Sequence, residues 1–288
     1  MTIYLFSTTD FAGPRKADFQ RLLDSVGTQS GLASPVVHYV MLQNCAEAEF
    51  TAYAATAPAR MRLMRSPGRM SLSAARNELL RAALAAESFG EDDLVAFPDD
   101  DCWLPERLLG SVMALFAARP TLDLLICRVS MTPDERPPTP QEVVEPTTPQ
   151  LVRLSSSNNM MLRGVLLPQL GLFDPELGLG TPAKGGEDTD FVIRASLRAR
   201  SVGFIPRPLV GHPESDQASA SKYFPGTLLV LSRHAWRKPS LMREFVRKLA
   251  VGAYFVANGR LSTPEYRGAL RRAARSFIAP ENRRRTAA

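Results

Sequence analysis

The sequence predicts an α/β fold: a sheet of βαβ units flanked by helices, followed by a C-terminal helical extension. Three observations predict it. Short apolar, partly β-branched runs alternate with helix-like patterns over the first 130 residues, as in βαβ units. Polar clusters follow several of those runs directly, where parallel strands leave a ligand crevice at their carboxyl ends. The ending differs in charge. From Trp236 onward there are thirteen Lys/Arg and three Glu, so this stretch carries +10, while the whole chain is +6 and the first 235 residues sum to −4.

The elements follow in order. Ile3 to Ser7 is a short apolar strand that ends in small polar residues. Gly13-Pro14 then opens a helix whose Phe19, Leu22, Leu23 and Val26 recur at 3–4 spacing. Val36 to Leu42 is a second strand and Met61 to Met64 a short third one. Ser71 or Ser73 caps a helix reaching about Ser88, and Leu94 to Phe97 reads as a buried strand. Pro105 marks a helix start with Leu108, Leu109, Val112, Leu115 and Phe116 as its stripe, and Leu122 to Val129 is the next strand. Residues 133–149 hold six prolines and read as an extended loop.

Beyond the loop come a strand-like Leu151 to Leu154, the polar run Ser155 to Asn159 and the apolar Met160 to Leu162. A glycine-rich, turn-forming stretch spans Gly171 to Gly186. A helix runs from near Glu187 to about Arg198, and Arg207 to Val210 is strand-like. Amphipathic helices near Leu241–Ala257 and Pro264–Ile278 close the chain.

Composition narrows the class. Of 288 residues, 45% are apolar and 22% charged, which is too apolar for disorder. Cys45, Cys102 and Cys127 form no CxxC, which excludes a zinc ribbon or disulfide scaffold and fits a reducing compartment. The start, MTIYLFSTTDF, lacks a basic n-region, and no apolar run reaches bilayer length. The expectation is a cytoplasmic protein. The basic ending favours an anionic partner such as a membrane surface, or is simply a solvated helical face. Aromatics do not interleave with its arginines and no nucleic-acid module is visible, so no nucleic acid is expected.

Four clusters carry candidate chemistry. Asp99-Asp100-Asp101 follows a buried strand, and three adjacent carboxylates repel one another unless a cation neutralises them. Alternate residues of an extended segment point the same way, so Asp99 and Asp101 converge on one Mg²⁺ or Mn²⁺. The alternative is a solvated acidic turn before Pro105. Gly185-Gly186-Glu187-Asp188-Thr189-Asp190 places carboxylates at a helix start, where the dipole alone favours them. The two glycines suggest backbone closing over a ligand, with a carboxylate as general base. In Ser71-Leu72-Ser73-Ala74-Ala75-Arg76-Asn77, Arg76 either pairs with phosphate or is an exposed helix arginine. His212 follows the strand-like Arg207 to Val210 and is one of three histidines.

Taken together and in this order, the clusters resemble glycosyltransferase family 2, whose members have the GT-A fold and use nucleotide-sugar donors. The likeness covers about residues 3 to 235. It is carried by Ser7-Thr8-Thr9, Ala75-Arg76-Asn77, Asp99-Asp100-Asp101 in the place of the DXD motif, Asn159-Met160-Met161-Leu162-Arg163, Gly171 to Gly180, and Gly186-Glu187-Asp188. The aspartate that family members often carry after the second strand is absent, since that place reads Met41-Leu42-Gln43-Asn44-Cys45.

The resemblance implies a GT-A type Rossmann-like mixed sheet. A domain of residues 1–235 would have a nucleotide-binding half, 1–130, and an acceptor-binding half, 150–235, with 236–288 as a basic extension. It implies an inverting, metal-dependent transfer of a sugar from a nucleoside-diphosphate donor to a hydroxyl of a glycan or lipid-linked acceptor, as in polysaccharide biosynthesis. Asp188 would be the base and Glu187 its neighbour at the acceptor. Ser7, Thr8, Thr9, Arg76, Asn77, Asp99 and Asp100 would lie at the donor. Asp99, Asp101 and His212 would hold the divalent cation, Mn²⁺ or Mg²⁺. The basic extension would rest peripherally on the cytoplasmic membrane face. The competing expectations are a sugar nucleotidylyltransferase, against which the glycine-poor N-terminus argues, and a non-catalytic anion-binding protein. A haloacid-type phosphatase would need the first aspartate as nucleophile with a downstream lysine and acidic loop, a layout this sequence does not show.

Overall fold

The computed structural model describes residues 1–154, 156–213 and 219–278. Ser155 and the arginines Arg283 to Arg285 of the basic ending lie outside the described residues.

Seven strands form one mixed sheet in the order β3-β2-β1-β4-β6-β5-β7. They are β1 (Ile3–Asp10), β2 (Val36–Gln43), β3 (Met61–Arg65), β4 (Leu94–Ala96), β5 (Leu122–Ser130), β6 (Met160–Arg163) and β7 (Ser201–Gly211). All pair in parallel except β6, which runs antiparallel to β4 and to β5. The uniform βαβ pattern of the first 130 residues therefore ends at β6. The proline-rich loop brings the chain back from the opposite direction.

The helices are α1 (Lys16–Gly27), α2 (Glu47–Thr56), α3 (Leu72–Ala86), α4 (Leu108–Ala118), α5 (Thr148–Leu154), α6 (Leu167–Leu170), α7 (Glu187–Arg198), α8 (Ser219–Lys222), α9 (Phe224–His234), α10 (Pro239–Ala257) and α11 (Thr263–Ile278). Alternation along the strands feeds two cores. Ile3, Leu5, Val40 and Leu42 pack with the α1 stripe Phe19, Leu22, Leu23 and Val26 and with α4. Tyr4, Phe6, Tyr39 and Met41 point to the other face and pack with Ala75, Leu79 and Leu80 of α3 and with Phe191 of α7.

Three local readings change. Leu151 to Leu154, expected as a strand, belongs to α5. Thr147 and Gln150 cap it reciprocally: Thr147 N–H donates to Gln150 Oε1 at 2.8 Å and Gln150 N–H to Thr147 Oγ1 at 3.4 Å. The helix expected at Pro105 begins at Leu108, after a turn closed by Leu108 N–H to Pro105 O at 3.0 Å. Among the described residues, four helices have no counterpart in the sequence reading: the one-turn α6 and α8, the helix α9, and α2, which has no fully buried side chain and packs only Phe50 and Tyr53 partly on the core.

The last helices are joined to the body. Val230 and Leu229 of α9 and Leu241 of α10 share a cluster with Ile193 of α7 and Val152 of α5. Phe224 and Leu228 of α9 pack with Phe255, Ala269 and Ala273 of α10 and α11. Position 235 falls in a short 3₁₀ turn, Ala235–Arg237, between α9 and α10. Among the described residues no helix is long and apolar enough to cross a membrane.

Candidate active site

The strand order reverses at β1, whose neighbours β2 and β4 lead outward in opposite directions; in open α/β sheets the ligand crevice lies at such a point, beyond the strands' carboxyl ends. The end of β1 presents Ser7, Thr8 and Thr9. The end of β4 leads through Phe97 and Pro98 into Asp99-Asp100-Asp101.

A second segment reaches the same place. Trp103 N–H donates to Gly211 O at 2.9 Å and Gly211 N–H to Trp103 O at 2.8 Å, so the acidic turn is stitched to the end of β7. Gly211 is required because a Cβ there would lie 2.0 Å from the Trp103 ring. This stitch sets His212 beside the carboxylates. One ligand atom each from Asp99, Asp101 and His212 lie within 4.8 Å of one another.

These residues suit a divalent cation. Asp101 Oδ1 is buried without a hydrogen-bond partner, a costly state for a carboxylate oxygen. His212 Nδ1 lies 2.6 Å from Pro213 O, which requires a proton on Nδ1. In the neutral ring Nε2 then carries the lone pair, 3.3 Å from that same Asp101 oxygen. Desolvation works to raise Asp101, yet His212 in its protonated form and Arg15 hold its carboxyl below the usual range. Arg15 Nη1 pairs with Asp101 at 2.9 Å and with Asp100 at 3.0 Å.

Arg76 is the centre of the arrangement. It is 2% exposed, enclosed beneath the crevice. Nη1 donates to Asp188 Oδ1 at 2.7 Å, and Nη2 donates to Asp99 Oδ1 at 2.8 Å and to Ser157 Oγ at 2.7 Å. Ser157 N–H donates to Asp188 Oδ2 at 3.0 Å, and Asp99 N–H donates to Asn158 Oδ1 at 2.7 Å. Desolvation pushes the Asp99 carboxyl up, opposed by Arg76 and reinforced by Asp188.

At the start of α7 the two acidic neighbours part. Asp188 turns to Arg76 and stays 21% exposed in the crevice, whereas Glu187 is 6% exposed. Desolvation, with the adjacent Asp188 charge, raises Glu187 to about 7. Asp190 is buried and spent elsewhere, on Arg194 Nε and His234 Nε2, each at 2.8 Å.

The sequence-predicted residues thus divide. Asp99, Asp101, Asp188, His212 and Arg76 come together. Arg76 binds carboxylates below the crevice, so it is neither exposed nor directed outward. Ser7 is buried, donating to Pro98 O at 2.7 Å and touching His38 Nε2 at 2.9 Å. Asn77 uses both amide atoms on Phe173: Nδ2 donates to its O at 2.9 Å and Oδ1 accepts from its N–H at 2.8 Å. Thr9 is also buried, and Thr8 remains part-exposed.

Gly185 and Gly186 do not close over a ligand cleft. They pack on the start of α9, where a Cβ on Gly186 would lie 2.8 Å from Gly226 C and one on Gly185 2.9 Å from the Tyr223 ring. Sequence reasoning missed Arg15, Ser157 and Asn158. The last two stood inside a polar run whose only signal was its place before the apolar Met160 to Leu162. It also missed Asp10, which accepts from Asn44 Nδ2 at 2.9 Å at the ends of β1 and β2.

No protein-family profile matches the sequence, and no curated protein matches it. Solved structures do. TarS 1-349 of S. aureus in complex with UDP-GlcNAc superposes with a TM-score of 0.68 at 16% identity, over 96% of this chain and 82% of that one. The chain has the GT-A fold. This GT-A chain is also similar to the mannosyltransferase PcManGT of Pyrobaculum calidifontis in complex with GDP-Man and Mn²⁺, with a TM-score of 0.53 and 17% identity over 99% and 83% of the two chains. GalNAc-T7 with UDP, GalNAc and Mn²⁺ gives a TM-score of 0.54 and 14% identity over 90% and 57%. The mixed sheet with its antiparallel β6 is accordingly that of GT-A proteins.

Proposed function

We propose that this protein is an inverting, metal-dependent glycosyltransferase that moves a sugar from a nucleoside-diphosphate donor to a hydroxyl of a glycan or lipid-linked acceptor. The observation that carries the reading is the Asp99–Arg76–Asp188 bridge. It sets a carboxylate of the cation cluster and a carboxylate able to take a proton on opposite arms of one guanidinium.

Asp99, Asp101 and His212 are the residues that would hold the cation. Two carboxylates with an imidazole nitrogen suit Mn²⁺ better than Mg²⁺, which favours an all-oxygen shell. When bound, the ion supplies positive charge to the leaving diphosphate. The chain's own groups do the rest. Asp188, part-exposed and oriented by Arg76 and Ser157 N–H, accepts the proton of the acceptor hydroxyl. The hydroxyl oxygen bonds to the anomeric carbon as the carbon–diphosphate bond breaks, and the electron pair leaves with the diphosphate. A single displacement of this kind inverts the anomeric centre. Glu187, neutral below about pH 7, adds no second charge beside the base. Ser7 and Asn77 hold the crevice walls in place, and Thr8 and Asp100 stand at the donor side.

The test is a donor screen that reads nucleoside-diphosphate release with Mn²⁺ and with chelator. Release from at least one nucleotide sugar, lost on chelation, supports the reading. No release from any donor across nucleotide bases and sugars counts against it.

The protein's place is proposed to be the cytoplasmic face of a membrane, reached through the basic C-terminal helices. Exposed Trp236, Val246, Tyr254 and Ile278 lie among the arginines of α10 and α11. Flotation with anionic vesicles, lost on removing residues 236–288, is the expected result.

A further inference from the structure

A cavity of about 720 Å³ lies outside the crevice, between the loop that follows Pro175 and the helices α9 and α11. Its size is that of a small-ligand site. Pro182 and Leu229 give it apolar wall, and Glu176, Arg233, Arg272 and Arg275 give it charge. Arg233 is already answered by Asp174 and Glu176. Arg272 and Arg275 have no carboxylate partner among the described residues. They stand three apart on α11 and therefore share a face of that helix. A concave, part-apolar space with two uncommitted guanidinium groups suits one ligand chemistry: a phosphate carried on a less polar body.

The position of the cavity adds to this. Ser71, which caps α3, lines it. The loop forming its wall continues behind the acidic start of α7. There a Cβ on Gly178 would lie 2.9 Å from Ser73 Oγ and 3.4 Å from Glu187 Cδ, and Leu72 N–H donates to Leu179 O at 2.9 Å. One short loop thus has the cavity on one side and Glu187 on the other.

We propose that this cavity binds the phosphate of a phosphorylated acceptor through Arg272 and Arg275, anchoring it next to the Glu187–Asp188 pair. That it is the acceptor rests on the transferase reading above; that the cavity takes phosphate does not. The phosphate belongs either to a membrane lipid or to a soluble phosphate ester.

The experiment uses the full chain and two double variants, Arg272→Gln/Arg275→Gln in the cavity and Arg267→Gln/Arg271→Gln elsewhere on α11, which remove equal charge. Matched thermal melting shows that both fold. Binding is titrated with glycerol phosphate, and separately with phosphatidylcholine vesicles with and without phosphatidic acid. The expected result is roughly tenfold weaker binding for the cavity variant, the effect of losing charge-assisted hydrogen bonds; the other variant stays within about twofold of wild type with glycerol phosphate, and with phosphatidic acid vesicles, where both variants remove membrane-facing charge, it loses less than the cavity variant. A difference with glycerol phosphate assigns a soluble ester. A difference only with phosphatidic acid vesicles assigns a lipid. Equal effects of the two variants, or none, on both probes overturn the proposal. Nucleoside-diphosphate release without acceptor, read in parallel, separates the two claims. A chain with a cavity-specific difference but no release loses the transferase reading and keeps the phosphate site. A chain with release but no such difference keeps the transferase reading and loses the site.

Discussion

Asp99 and Asp188, far apart in the chain, share one buried guanidinium, with Arg76 Nη2 2.8 Å from the first and Nη1 2.7 Å from the second. The cation cluster and the start of α7 are thereby locked into one unit.

Arg76→Met removes that lock and leaves two carboxylates facing each other without a counter-charge. A loss of about 3–5 kcal/mol is expected, as for breaking a buried pair from one side. Urea unfolding at pH 7 measures it. Adding Asp188→Asn to Arg76→Met should recover part of the loss, because one of the opposed charges is gone.

Asp188→Asn alone tests the base. Transfer should fall by about 10²–10⁴-fold while donor affinity stays near wild type. Turnover by quenched assay and donor titration in Mn²⁺ give the two numbers. Near-normal turnover would remove Asp188 from the base role.

His212→Ala and Asp101→Ala each delete a ligand of the cluster. Donor binding that depends on Mn²⁺ should weaken in both, and the Mn²⁺ concentration needed for half-maximal activity should rise about 10-fold or more. Calorimetric titration of Mn²⁺ into the free protein checks the same change without turnover.

Glu187 gives a pH signature. Its ordinary value of 4.5 is raised to about 7 by desolvation and by Asp188. The folded state therefore binds the proton more tightly than the unfolded chain. The stability this contributes is complete below about 4.5 and is lost as pH rises through about 7. Glu187→Gln cannot ionise, so its melting temperature relative to wild type should climb between pH 5 and pH 8. A difference independent of pH would contradict the assignment.

The strands and most helices were legible because their apolar periods are real burial patterns. Phe19, Leu22, Leu23 and Val26, chosen from spacing alone, are all buried on one face of α1. The α2 helix was illegible for the opposite reason, since none of its side chains is fully buried and only Phe50 and Tyr53 pack partly on the core. In the site, Asp99 and Asp101 do converge, but through a turn closed by Cys102 N–H to Asp99 O at 3.2 Å rather than by alternation along an extended strand, and the place of His212 depends on the Trp103–Gly211 stitch, a contact between distant segments. The role of Arg76 was legible in type and not in direction. An arginine on a helix signals charge recognition, and only the tertiary arrangement makes its partners Asp99 and Asp188. Gly185 and Gly186 misled because glycine marks any close approach of backbone, and here the neighbour is α9.

That neighbour has a consequence for how the chain can be shortened. A Cβ on Gly226 would lie 2.0 Å from Gly185 O, and His234 bonds Asp190, so α9 is the backstop of the turn that presents Glu187 and Asp188. A cut just after His234 spares the backstop, and one ahead of Phe224 takes it away. The proton-accepting half of the crevice is thus built from α7 and α9 together, and a chain that stops short of His234 lacks part of it.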